Sequence, residues 1–253
     1  MKIMIIRHAE PDYSIDSLTA KGRREAEMLS RRLVKTAREE HVSGVYVSPC
    51  GRAMDTASYV LKQTGLHAEV LPWLTEFRGV CLDPDRGYVK NCWDFRPRTW
   101  LGRPLLYDPE HFYEDPLLQG GNVKEIWDET TQGVDRILAD HGYTRDGGIW
   151  TCADNRDDVL MLFCHFGIGM AVAAYLTSTS PFLLWHTTSM APSSVTTLIT
   201  EERVKGEVWF RCVQMGDISH LWAENEPYST AGLFAEVYDG RDSTEPASWG
   251  SRA

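Results

Sequence analysis

The chain opens on a short unbroken apolar run, Ile3-Met4-Ile5-Ile6, bounded by Lys2 and Arg7. A run that short, rich in β-branched residues and closed by charge on both sides, predicts a buried strand. From Thr19 to Glu40 the period changes: Ala26, Leu29, Leu33 and Ala37 recur at helical spacing behind a threonine suited to capping. Val42 to Val47 returns to strand character. Gly51 to Gln63 predicts a second helix closed by Gly65, and Ala68-Glu69-Val70-Leu71 a third strand stopped by Pro72. Strands and helices alternating in this order predict an α/β fold with a parallel sheet.

The pattern breaks between Arg78 and Gly121, where Pro84, Pro97, Pro104, Pro109 and Pro116 interrupt any period. Long irregular connections are usually functional or disordered. The aromatic content here (Tyr88, Trp93, Phe95, Trp100, Tyr107, Phe112, Tyr113) favours an ordered cover. Helical spacing returns from Val123 to Ala139, a strand is predicted at Val159 to Cys164, and a helix at Gly167 to Leu176. Val195 to Thr200 and Val208 to Val213 predict a late strand pair, and the polar tail after Asp239 is expected to fray. The expectation is one catalytic domain over 1–253, a three-layer α/β/α sandwich with a mostly parallel central sheet and a lid inserted at about 78–121.

With 43% apolar and 25% charged residues in 253, the composition is that of a globular protein with a substantial core. No apolar run approaches the roughly 18 residues that cross a bilayer. The opening lacks the length and cleavage pattern of a secretory signal, so a cytoplasmic location is expected. A net charge of −10 disfavours general attraction to nucleic acid or an anionic membrane, while local arginines could still hold an anionic small molecule. Six cysteines show no C-x-x-C spacing, and neither they nor the eight scattered histidines cluster as metal ligands. Reduced, mostly buried thiols and no metal or other cofactor are expected.

Candidate chemistry gathers just after the predicted strands. Arg7-His8 follow the first, Ser48 to Ala57 with Arg52 the second, Glu76 the third, and His165-Phe166-Gly167 the fourth. Open α/β sheets place ligands outside the carboxyl ends of their strands. A guanidinium beside an imidazole at that place suits gripping and attacking a phosphoryl group. Each residue also has an ordinary reading. Arg7 could be a surface ion-pair partner, His8 a strand-end histidine, Arg52 a solvated helix residue, Glu76 a solvated carboxylate and His165 a core histidine bonded to backbone. Their joint order favours one shared site.

On these residues the chain resembles the histidine phosphatase superfamily, which includes the cofactor-dependent phosphoglycerate mutases. The likeness lies in Arg7-His8-Ala9 as an Arg-His-Gly-type opening and in Ser48, Arg52-Ala53 and Thr56-Ala57 at the family spacing. Glu76 stands as the acid after a further strand, and His165 in the late His-Gly position. Leu18 to Gly22, Ala191 to Thr196 and Gly216 to Leu221 extend the likeness over nearly the whole chain, with a gap between about Arg78 and Gly120. The resemblance implies a metal-independent phosphomonoesterase with His8 as nucleophile, forming phosphohistidine. Arg7, Arg52 and His165 would hold the phosphoryl oxygens, and Glu76 would act as general acid and then base.

Ser14, Arg78 and Phe166 are the candidates for contacting the rest of a small phosphorylated metabolite. Ser14 and Arg78 read equally well as solvated loop and surface ion pair. Ser48 and Thr56 are read as holding local turns, and His220 as a structural hydrogen-bonding residue. Arg96, Arg98 and Arg103 are read as lid packing and solvated charge before ligand contacts. No nucleic-acid or membrane partner is implied, and a homodimer stays open.

Two positions depart from the family pattern. Ala9 stands where many members have Gly, which restricts the backbone beside the nucleophile, and Phe166 stands where Gly is common, which narrows the pocket mouth. The segment Glu10-Pro11-Asp12-Tyr13-Ser14-Ile15-Asp16-Ser17 lacks the Glu-Ser-x-Trp-Asn passage of the mutases, so the phosphatase members are the nearer likeness. Mutase-type phosphotransfer, phosphoprotein dephosphorylation and non-catalytic binding of a phospho-ligand are the alternatives.

Overall fold

The computed structural model describes residues 1–84 and 87–232. The expected fraying after Asp239 falls outside them. Strand β1 (Lys2–Arg7) leads through the small hairpin β2 (Pro11–Asp12) and β3 (Ser17–Leu18) into helix α1 (Ala20–Glu39). Next come β4 (Val42–Val47), α2 (Gly51–Thr64) and the short β5 (Glu69–Val70). Segment 78–121 holds the antiparallel pair β6 (Val80–Leu82) and β7 (Val89–Asn91), the helical turn α3 (Pro97–Trp100) and several 3-10 turns. Helix α4 (Val123–Asp140), the hairpin β8 (Tyr143–Asp146) and β9 (Ile149–Cys152), and β10 (Val159–Cys164) follow. The described chain closes with α5 (Phe166–Leu176), α6 (Pro181–Thr187), β11 (Val195–Val204), β12 (Glu207–Asp217) and α7 (Ser219–Trp222).

Among the described residues eight strands make one sheet in the order β5-β4-β10-β1-β11-β12-β9-β8. The first four run parallel, and from β11 onward the pairing is antiparallel. The parallel half carries the candidate site. Hairpin β8–β9 was not visible in the periodicity, because its two four-residue strands carry a mixed apolar and polar pattern too short to register.

The three layers follow from the alternation of side chains along the central strands. Ile3, Ile5, Leu160 and Leu162 face the side where α4, α5 and α6 pack, with Trp127, Val134, Ile168 and Trp185. Met4, Ile6, Met161 and Phe163 face α1 and α2, against Leu29, Leu33, Ala53, Ala57 and Val60. Fully burying an aliphatic side chain of this size contributes about 1.5–3 kcal/mol. Because both faces are covered, β1 and β10 must be apolar without interruption, the pattern seen in the sequence.

Local capping agrees with this packing. The Thr19 hydroxyl accepts the Gly22 N–H at 2.9 Å at the start of α1, and Gly65 ends α2 at φ 72°. Trp93, Phe95, Trp100 and Phe112 of segment 78–121 are buried in the same core as α4 to α6. Among the described residues no helix is long and apolar enough to cross a membrane. All six cysteines are free thiols; Cys81, Cys92 and Cys164 are buried, Cys50 and Cys152 half-buried, and Cys212 exposed.

Candidate active site

Strand register brings the candidate residues together. Arg7 lies opposite Cys164, and Phe163 opposite Val47. His8, His165 and Ser48 therefore leave three adjacent parallel strands at nearly one level. The His8 N–H donates to the Cys164 carbonyl and the Ser48 N–H to the Phe163 carbonyl, each at 2.9 Å. The imidazole rings of His8 and His165 stand 5.0 Å apart, edge to face. From β5, beside β4, a 3-10 turn at Pro72–Leu74 carries the chain on to Glu76, and Arg52 rides on the first turn of α2.

His8 is buried, and its Nδ1–H donates to the Ala9 carbonyl oxygen at 2.8 Å. That bond assigns the proton to Nδ1 and leaves a lone pair on Nε2. Burial first, then the Arg7 and Arg52 charges, push the imidazole pKa well below its ordinary range. The ring is therefore neutral, as a nucleophile must be.

Arg7 is also buried. Its Nη1 donates to the Met190 carbonyl, while its Nε has no partner among the described residues. Arg52 Nη1 donates to Asp16 Oδ1 at 2.5 Å, and the Gly51 N–H to Asp16 Oδ2 at 2.7 Å. The Arg52 guanidinium carbon lies 5.4 Å from the centre of the Tyr13 ring. A Cβ on Gly51 would come 2.0 Å from the Asp16 carbonyl oxygen, so only glycine lets the Asp16 loop reach this helix start.

His165 caps α5, and its Nε2 is 2.7 Å from the Ser48 hydroxyl oxygen, which also accepts the Cys50 N–H at 3.3 Å. The Ser48 bond engages Nε2 and leaves Nδ1 as the ring nitrogen turned away from it. That Nδ1 is buried and has no partner among the described residues. It is a ring nitrogen open to a ligand, as the Arg7 Nε–H is a donor open to one.

Glu76 Oε1 accepts the Phe77 N–H at 2.8 Å and the Ile168 N–H at 3.1 Å. Burial raises the Glu76 pKa, opposed by these two donors and by Arg7 and Arg52. An anion-binding corner thus sits beside a carboxyl that keeps its proton to higher pH than usual.

The five central candidates gather at the strand ends; of the three outlying ones, Phe166 follows His165 directly and Arg78 lies two residues after Glu76, while Ser14 bonds only within its own loop among the described contacts. Ser14 is exposed and turned onto Asp12, whose Oδ1 accepts both its N–H and its hydroxyl. Arg78 is exposed, and its Nη2 donates to the Thr75 hydroxyl at 3.1 Å. Phe166 begins α5 with its ring 6.0 Å from that of Trp93. Arg103 pairs with Asp115 within segment 78–121.

Ser48 and Thr56 make the local bonds expected of them, and each also reaches a distant residue. Ser48 holds His165. Thr56 accepts the Ala9 N–H at 3.0 Å and donates to the Arg52 carbonyl at 2.7 Å, tying the loop after His8 to the Arg52 helix. The signal for Thr56 was present, since a residue four after Arg52 shares its helix face. Asp16 left no signal, because its partner lies 36 residues away. His220 lies 3.1 Å from the Ser193 hydroxyl, whose own N–H donates to the His8 carbonyl at 3.0 Å, a bracing role.

A family model described as histidine phosphatase superfamily (branch 1) matches residues 3–211. The chain belongs to that superfamily. Among solved structures, this histidine phosphatase is similar to a mycobacterial glucosyl-3-phosphoglycerate phosphatase complexed with VO3. The likeness is 21% identity over 85% of this chain and 98% of that one, with a TM-score of 0.54. It is also similar to a phosphoserine phosphatase from Entamoeba histolytica, at 17% identity, 87% and 98% coverage and a TM-score of 0.53. At such identities the likeness is one of fold. No curated protein sequence matches the chain.

Proposed function

We propose that this histidine phosphatase hydrolyses a small phosphorylated metabolite through a phosphohistidine intermediate. The observation that carries the reading is the His8 tautomer: Nδ1–H is bound to the Ala9 carbonyl, so the Nε2 lone pair is available beside His165. Nε2 attacks phosphorus, and the P–N bond forms as the P–O bond to the leaving group breaks. Glu76 gives its proton to the departing alkoxide, then accepts one from the water that attacks phosphohistidine and frees His8. Arg7, Arg52 and His165 hold the phosphoryl oxygens. A hydrogen bond to a charged group of this kind contributes about 1.5–3 kcal/mol.

A small-molecule substrate is supported by the similar structures named for glucosyl-3-phosphoglycerate and for phosphoserine. A hydrolase rather than a mutase is favoured by the short first loop, where Pro11 to Ser17 forms a tight hairpin. The test is inorganic phosphate release from a panel of phosphorylated metabolites in EDTA, comparing the wild type with His8→Ala. Release by the wild type and none by a folded His8→Ala protein is expected. Equal release by both would overturn His8 as nucleophile. No release from any substrate, with phosphate moved between substrate molecules instead, would overturn hydrolysis.

A further inference from the structure

The carboxyl of Glu76 is held by two backbone N–H groups, and each of those backbone segments is held in turn by an indole. The Ile168 N–H that donates to Glu76 Oε1 belongs to the same peptide unit as the Gly167 carbonyl, which accepts Trp185 Nε1–H at 2.8 Å. One amide thus relays from the indole to the carboxyl. The Phe77 residue that supplies the second donor has its carbonyl bound by Trp93 Nε1–H at 3.1 Å. Both tryptophans are buried, and the Phe77 and Trp185 rings are 4.7 Å apart. The parts meet at Gly167, where a Cβ would lie 2.8 Å from Glu76 Oε1, 3.1 Å from Trp93 Nε1 and 3.2 Å from Phe77 Cβ.

We propose that Trp185 and Trp93 are positioning residues that fix which carboxyl oxygen of Glu76 carries the proton. The inference rests on Glu76 being the general acid. With both N–H donors on Oε1, that oxygen is committed as an acceptor. The proton then resides on Oε2, the oxygen left to face a leaving group. An N–H on the far side of an amide polarises it and strengthens the donor at its other end. Trp185 therefore tightens the bond at Oε1. Trp93, drawn from segment 78–121, makes the placement of the acid depend on that segment being seated.

The titratable groups facing Glu76 are Arg7, Arg52, Tyr13 and the thiols of Cys92 and Cys164, and the tryptophan variants leave all of them in place.

The experiment compares Trp185→Phe, Trp93→Phe and Glu76→Gln with the wild type on an alkyl and an aryl phosphate, with pH profiles and thermal melts. Phenylalanine keeps an aromatic ring in the core but removes the indole N–H together with the rest of its five-membered ring, and the thermal melts read the packing lost with it. In Trp185→Phe, kcat on the alkyl phosphate should fall about tenfold, inside the roughly 10²–10⁴-fold that general acid catalysis supplies. Aryl turnover should stay within about twofold, because an aryl leaving group needs little protonation. The alkaline limb should move to higher pH, since a weaker donor at Oε1 favours the ionised carboxylate less.

In Trp185→Phe, equal losses on both substrates, or a drop in kcat with the limb unmoved, would overturn the positioning role. If Trp185→Phe fails to fold, Trp93→Phe tests the positioning by its alkyl-selective loss, without the limb shift, because the Phe77 carbonyl and N–H lie in different peptide units; equal losses on both substrates would overturn it. An alkyl-selective loss in Glu76→Gln with neither tryptophan variant showing one would sink this inference alone. No selectivity in Glu76→Gln would sink the acid assignment beneath it.

Discussion

Ser48 and His165 are joined by a 2.7 Å hydrogen bond between hydroxyl oxygen and Nε2, and that bond orients the imidazole at the end of β10. Without it, the ring loses the side-chain partner that holds its orientation. Ser48→Ala should therefore keep the fold, lower kcat/KM by about tenfold and weaken inhibition by inorganic phosphate, on the scale of one charge-assisted bond. Phosphate release with product-inhibition measurements checks this. Unchanged phosphate inhibition would show that His165 takes its orientation from elsewhere.

Thr56→Val keeps the shape of the side chain and removes the acceptor of the Ala9 N–H. A buried N–H left without a partner costs about 1–3 kcal/mol. Urea unfolding should show a loss in that range, accompanied by lower turnover, because the same N–H sits next to His8. Full turnover in a destabilised protein would separate the brace from the chemistry.

Gly167→Ala places a methyl 2.8 Å from Glu76 Oε1, where the competing atoms belong to a held carboxyl and a buried indole. The carboxyl must shift. Turnover of an alkyl phosphate should fall by at least tenfold, and aryl turnover by less, in line with loss of general acid catalysis. A crystal structure or an alkyl-to-aryl rate ratio reads this directly, and an unchanged ratio would show that the carboxyl adapts.

Activity needs His8 neutral and Glu76 protonated, and the two pKa shifts point toward that combination. His8 is pushed down from 6.5, so it stays neutral as pH falls below that value. Glu76 is pushed up from 4.5, so it stays protonated as pH rises above that value. The rate should peak at mildly acidic pH, falling on the acid side as the imidazole protonates and on the alkaline side as the carboxyl ionises. Glu76→Gln should abolish the alkaline limb. A limb that survives in this variant would belong to another group.

Acid should destabilise the fold through buried histidines. His186 and His220 are both pushed down to about 4, chiefly by burial. His186 Nε2 accepts the Phe95 N–H at 3.0 Å, a bond that protonation breaks. As pH falls below the ordinary 6.5, the unfolded chain takes up these protons first, so stability declines until the folded pKa is reached near 4. Each group contributes up to about 1.4 kcal/mol per pH unit across that window. Urea unfolding at pH 7, 6 and 5 should show this slope, reduced in His220→Gln. A flat profile would contradict the buried, neutral state of these rings.

Much of this was legible in the chain itself. Ile3 to Ile6 and Val159 to Cys164 are apolar on consecutive positions, which only a strand covered on both faces needs. Thr19 and Gly65 mark the start of α1 and the end of α2, as capping chemistry requires. Arg7, His8, Arg52, Glu76 and His165 stood out because each follows a strand, and the carboxyl ends of parallel strands share one edge. The short strands β8 and β9 were not legible, since neither carries a period long enough to read.

What sequence determined, then, was which segments are strands and which reactive side chains leave their ends. Which of those side chains touch was decided by register, with Arg7 opposite Cys164 and Phe163 opposite Val47. Register comes from packing both sheet faces at once, a sum over helices far apart in the chain. No local pattern could therefore show that Ser48 would meet His165 or that Trp185 would reach the peptide that holds Glu76.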